Sequence, residues 1–121
     1  SDPPINTHAA TKRAGQIVLS GGLTWPAGKA ENSIPDGDYT IAVRPHHVTT
    51  AVPTTASGPI DGRVLITEIS GSESVIHFAL GDKTWVSQSH GIHRLAVGSQ
   101  TRLYVDVDQL LYFDANGELV G

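Results

Sequence analysis

The chain has 121 residues and a formal net charge of -4, from eight Lys or Arg against twelve Asp or Glu. That is the size of one domain, and its acidic balance offers no basic field to neutralise phosphates, so nucleic acid is not an expected partner. The absence of cysteine excludes disulfides, thiolate metal sites and a cysteine nucleophile.

No apolar run approaches the roughly 18 residues that cross a bilayer, and Ser1-Asp2-Pro3-Pro4 is not a secretory signal. A soluble, cytosolic chain without direct membrane insertion is expected. Because it starts at Ser1 and contains no methionine, the chain is also expected to be a piece of a larger protein.

Short alternating or β-branched runs separated by glycine predict an all-β fold, since helical periodicity is nearly absent. In chain order, Gln16 to Leu19 and Leu23 to Trp25 form a hairpin around Gly21-Gly22, whose glycines supply the positive φ of a tight turn, and Pro26 ends it. Ala27 to Ser33 reads as a loop. Pro35-Asp36-Gly37-Asp38 is a turn before the strand Tyr39 to Val43. The Thr-, Ser-, Pro- and Gly-rich stretch 49–59 is a connecting loop within one domain, leaving a first strand segment (1–48) and a main segment (60–121) that complete one another, since neither buries a core alone.

Five strands follow: Gly62 to Ile69, Ser74 to Leu80, Thr84 to Ser89, Thr101 to Val107 and Leu110 to Phe113. Together they predict a small OB-type barrel, completed by the N-terminal strands, and closure would remove exposed edges. Leu103, Val105 and Val107 alternate with Arg102, Tyr104 and Asp106, which turns the aliphatic set inward. Asp114-Ala115-Asn116-Gly117 reverses the chain into Glu118 to Val120.

Catalytic signatures are missing. There is no G-x-x-x-x-G-K-[ST] phosphate loop, and Ser70-Gly71-Ser72-Glu73 lacks the flanking glycines of a seryl elbow. Neither ATP hydrolysis nor a serine hydrolase is expected of these residues. Among six histidines, His46-His47 are adjacent and His90 and His93 lie three apart, but neighbours on a strand face opposite ways and no H-E-x-x-H helix organises them, so surface or partly packed histidines are expected rather than a metal site. Trp25, Trp85, Tyr39, Tyr104 and Tyr112 could stack single-stranded bases; the acidic balance favours core packing or a protein interface. Glu68, Ser72 and Glu73 flank the glycine-serine turn, and Arg44 is expected beside them. An arginine fork among carboxylates can contact an anion or a partner, against the plainer reading of a solvated turn with an ion pair of little worth.

Three stretches, in this order, resemble one family. Ala42-Val43-Arg44-Pro45-His46-His47 is similar to a small or aliphatic pair followed by R-P-E and a polar residue. Gly62-Arg63-Val64 through Glu68-Ile69-Ser70-Gly71-Ser72-Glu73 is similar to a strand ending in E-x-L-G-x-E, and Leu111 to Leu119 to a terminal F-D-x-x-T-G pattern. Pro3-Pro4-Ile5-Asn6 resembles a P-P-M-N junction that follows a nucleotide-binding domain. The family is the transport-associated OB (TOBE) domain at the C-terminus of ATP-binding subunits of carbohydrate ABC importers of the maltose-importer type. His46, Ser70 and Asn116 stand where that family usually has glutamate, leucine and threonine.

The resemblance implies a non-catalytic regulatory and dimerisation module of an ABC-importer subunit for a sugar or related solute. Its implied partners are the parent ATPase domain, a second copy of the chain, a regulatory protein and, through the parent, the permease subunits. It also implies that ATP and Mg belong to the upstream domain, and that the parent works in the cytoplasm at the inner face of the membrane. The alternatives are an OB module sensing a small ligand, oxyanion or sugar, through Arg44, Glu68, Ser72 and Glu73, and a single-stranded nucleic-acid binder.

Overall fold

The computed structural model describes residues 4–121, which form eleven β-strands, three short 3-10 turns and no α-helix. One antiparallel sheet of six strands runs in the order β11 (Leu119–Val120), β10 (Leu111–Phe113), β4 (Gly37–Val43), β1 (Asn6–Arg13), β2 (Gln16–Leu19), β3 (Thr24–Pro26). The other has five: β5 (Val48–Thr49), β9 (Gln100–Asp106), β6 (Ser57–Ser70), β7 (Glu73–Leu80), β8 (Lys83–His90). The expected all-β architecture and the β2–β3 hairpin are both present, with Ile17 opposite Trp25.

The five-stranded sheet curls into a nearly closed, OB-type barrel. Its outer strands β5 and β8 meet along a seam of side chains rather than a backbone ladder. Ser87 Oγ donates to the Val48 carbonyl at 2.5 Å, and Thr50 N donates to Ser89 Oγ at 3.1 Å. Both serines are buried, so their hydroxyls satisfy strand-edge groups that would otherwise cost free energy. A register shift between Val64 and Ile66 re-aims the second half of β6, as a bulge does.

Three sequence expectations are corrected. The barrel's fifth strand is Val48–Thr49, not Leu110 to Phe113; the latter pairs with β4, Tyr112 opposite Ile41, and carries β11 with it into the six-stranded sheet. The connecting loop is shorter than 49–59, because Thr49 pairs with Tyr104 and Ser57 to Pro59 already pair with β9. The strand β1, absent from the sequence reading, lies between β4 and β2. Its inward face carries Asn6, His8, Ala10 and Lys12, which are all buried yet hardly apolar.

One continuous core draws side chains from both sheets, including Trp25, Ile41 and Tyr112 from the first and Ile60, Phe78 and Trp85 from the second. Leu103, Val105 and Val107 face inward as expected, each 0–1% exposed. Trp25 and Trp85 lie 6.5 Å apart between ring centroids, and each spans the boundary with a hydrogen bond: Trp25 Nε1 to the Pro59 carbonyl and Trp85 Nε1 to the Thr7 carbonyl, both 3.1 Å. Two strand glycines make room for this packing. A Cβ at Gly58 would collide with the Trp25 indole, and one at Gly62 with the Phe78 ring.

Two polar features at the margins of the core give testable consequences. The Tyr112 hydroxyl is buried without a partner among the described residues, and burial first, then the Asp108 charge, pushes it up to about 12. Tyr112→Phe removes that orphan while keeping the ring edge-on to Tyr39, so it is expected to stabilise the fold by about 1 kcal/mol; a lowered denaturant midpoint would refute this. The Lys12 ammonium, buried on β1, meets the exposed Asp36 carboxylate at 2.8 Å. That bond, helped by the Ala14 amide, holds the Asp36 carboxyl below its ordinary value of 3.8. A depressed carboxyl stabilises the fold above its unfolded pKa and ceases to do so as pH falls through the folded one. Asp36→Asn is therefore expected to lower the melting temperature at pH 7, and the gap from the parent protein should close on acidification below pH 3.8.

Candidate functional site

The β6–β7 hairpin turns at Ser70-Gly71-Ser72-Glu73, with Gly71 at φ 60, so only this glycine adopts the reversal without strain. Strand alternation then puts Glu68 and Glu73 on the outer face. Glu68 Oε1 lies 2.8 Å from His77 Nε2 on β7, and Glu73 Oε1 accepts from Gln88 Nε2 at 2.9 Å while its other oxygen lies 3.7 Å from His90 Nδ1. The hairpin therefore presents carboxylates already engaged by imidazoles and an amide. These pairs are exposed to half-buried, and contribute little to stability.

Of the four sequence candidates, the structure brings Glu68, Ser72 and Glu73 together on this hairpin. Arg44 stands elsewhere. It follows β4 in an extended conformation, is exposed, and forms no ion pair or side-chain hydrogen bond among the described residues. The expected pairing of Arg44 with the two glutamates is not made, because the chain leaves β4 into the Pro45–His47 turn, which packs on β8 rather than on the β6–β7 hairpin.

That turn overrides the strand rule that would part His46 from His47: their rings meet at a 43° tilt with centroids 4.1 Å apart. Desolvation, followed by the neighbouring His46, lowers His47 below its ordinary value. Among the described residues, no group of three His, Asp or Glu is placed to hold a metal ion. Of the five aromatics, Trp25 and Trp85 are 0–1% exposed and Tyr112 is 4% exposed, which seals these three from bases, whereas Tyr39 and Tyr104 are half-buried.

Sequence reasoning missed several exposed aliphatics on β6 and in the segment that follows β8. The segment after β8 folds back across β7 and β6, with His93 N donating to Ser74 Oγ at 2.8 Å, Thr67 Oγ1 to the Leu95 carbonyl at 3.4 Å and Gly98 N to the Val64 carbonyl at 2.7 Å. On β6 and in this segment Ile66, Ile69, Ile92 and Val97 are 39–74% exposed, Ile66 and Ile69 on opposite faces of the strand.

Comparison with known families decides the assignment. The TOBE domain family matches residues 41–113. The chain belongs to the TOBE domain family. The match begins within β4 and ends with β10, strands hydrogen-bonded to each other, so it encloses the whole barrel; β1, β2, β3 and β11 extend the six-stranded sheet outside it. TOBE domains are non-catalytic modules associated with ABC-transporter ATPase subunits. A search of curated proteins finds no match. Among the described residues, no helix is long and apolar enough to cross a membrane.

Proposed function

We propose that this TOBE domain is the regulatory and dimerisation module of the ATP-binding subunit of an ABC importer for a sugar or related solute, of the maltose-importer type. The observation that carries the proposal is the family match over the entire barrel, and the A-V-R-P and F-D-A-N-G stretches near its two ends support the importer type. ATP and Mg would bind the parent's nucleotide-binding domain, in the cytoplasm at the inner face of the membrane. The present residues would supply contacts to that domain, to a second copy and to a regulatory protein, while permease subunits would be met through the parent. The hairpin bearing Glu68, Ser72 and Glu73 is the surface we assign to partner contact; Arg44, standing apart, would serve a separate contact.

A domain this small offers roughly 800 Å² to a partner, and that area does not ensure tight binding once association entropy is counted. Its contact with a second copy would be isologous, one patch against itself around a two-fold axis. Sedimentation of the isolated chain is expected to show concentration-dependent dimers in the micromolar range or weaker, with a substantial monomer fraction at low micromolar protein. A nanomolar dimer, or a strict monomer at millimolar concentration, would contradict a module that assists a dimer held mainly by the ATPase domain.

A further inference from the structure

Where the two sheets diverge, the β2–β3 and β7–β8 turns enclose a cleft of about 560 Å³. Its polar lining comes from His8, Ser20, Asp61 and Asp82, and Leu19, Leu23 and Leu80 form the apolar wall. None of these residues belongs to the hairpin surface.

The imidazole of His8 sets the chemistry. The residue is 6% exposed and stands edge-on to Trp85, at 6.3 Å between centroids and 73°, which fixes the ring. Its Nδ1 lies 2.8 Å from the Ala9 carbonyl and 3.4 Å from Ser20 Oγ. A carbonyl can only accept, so Nδ1 carries the proton, and in that tautomer Nε2 presents a lone pair. That nitrogen has no hydrogen-bond partner among the described residues. The two carboxylates are also acceptors. Asp61 is committed to Arg102, at 2.6 and 3.2 Å, whereas Asp82 forms no ion pair among the described residues.

The cleft thus offers lone pairs and one uncompensated negative charge beside three leucines, with Ser20 as its sole hydroxyl donor. An anion would meet repulsion there, and a neutral polyol would find few donors for its own oxygens. The complementary ligand is a donor-rich cation on a short apolar body.

We infer that this cleft binds a small aliphatic ammonium, its charged head between Asp82 and His8 Nε2 and its methylenes against Leu19, Leu23 and Leu80. The inference is independent of the proposed dimer, since it concerns a different surface and a different ligand.

The test is a titration of the isotope-labelled 121-residue chain, followed through its backbone amide spectrum, with 1,4-diaminobutane and with the uncharged isostere 1,4-butanediol. Saturable shifts are expected for Ser20, Gly21, Gly81 and Asp82 with the diamine and not with the diol. Asp82→Asn is expected to weaken binding about fivefold, as does loss of one solvent-facing ion pair. Raising the salt should weaken binding by the unsubstituted chain in the same direction, which gives the charge readout without any variant. His8→Phe, which keeps the edge-on ring but removes the lone pair, is expected to weaken it as well. Equal response to diamine and diol, non-saturating shifts, or an affinity indifferent to both salt and Asp82→Asn would overturn the assignment.

Discussion

Trp85→Ala is expected to destabilise the protein by about 3–5 kcal/mol, which for a domain of this size lowers the melting temperature by at least about 10 °C. The side chain is 1% exposed and sits at the junction of the two sheets, tilted against Trp25 and edge-on to His8. Removing it leaves a cavity shared by both sheets, which neither can close alone, and it orphans the Thr7 carbonyl that accepts from the indole at 3.1 Å. Trp85→Phe should fall between, because it retains much of the apolar area and loses only the hydrogen bond. An unchanged denaturation midpoint for Trp85→Ala would show that the sheets do not depend on this contact.

Asn6→Ala is expected to cost about 2–5 kcal/mol, unusually much for a short polar side chain. Asn6 is 3% exposed, and its amide clasps one residue of the barrel from both sides: Nδ2 donates to the Val86 carbonyl at 2.8 Å, and Oδ1 accepts from the Val86 amide at 2.7 Å. The side chain therefore replaces one rung of backbone ladder between β1 and β8. Alanine leaves both backbone groups buried and unpaired, each at a cost of about 1–3 kcal/mol. Asn6→Asp should be no better, since a carboxylate keeps the acceptor but faces the Val86 carbonyl with a second oxygen. Amide exchange is the decisive reading: Val86 should lose protection in Asn6→Ala, while protection that stays at parental levels would refute the clasp.

The strands legible in the sequence were those whose alternation is local. Leu103, Val105 and Val107 point inward because a period of two and one apolar face suffice to orient them. β1 was illegible for the opposite reason: its inward positions Asn6, His8 and Lys12 carry polar groups that burial tolerates only because Val86, Ala9 and Asp36 satisfy them from elsewhere. The allegiance of Leu111–Phe113 was also hidden, since three alternating residues say that a strand exists but not which sheet it joins.

The same division runs through the candidate site. Glu68, Ser72 and Glu73 share one hairpin, so their proximity follows from sequence neighbourhood; Arg44 would have to reach them across the fold, and the Pro45–His47 turn takes the chain elsewhere. The serines at positions 87 and 89, two apart behind the inward Trp85, were a readable sign of polar groups on a buried face, and they close the barrel seam. The ammonium cleft gathers four separate segments, a juxtaposition no local pattern announces.

The central claim, that this TOBE domain works as one module of an ATP-binding subunit, is tested most directly by sequencing the reading frame that encodes Ser1 and whatever precedes it. The account predicts a G-x-x-x-x-G-K-[ST] loop upstream, in frame and on the same polypeptide. An uninterrupted upstream frame without that loop, or a stop codon followed by an initiation codon directly before Ser1, would contradict it.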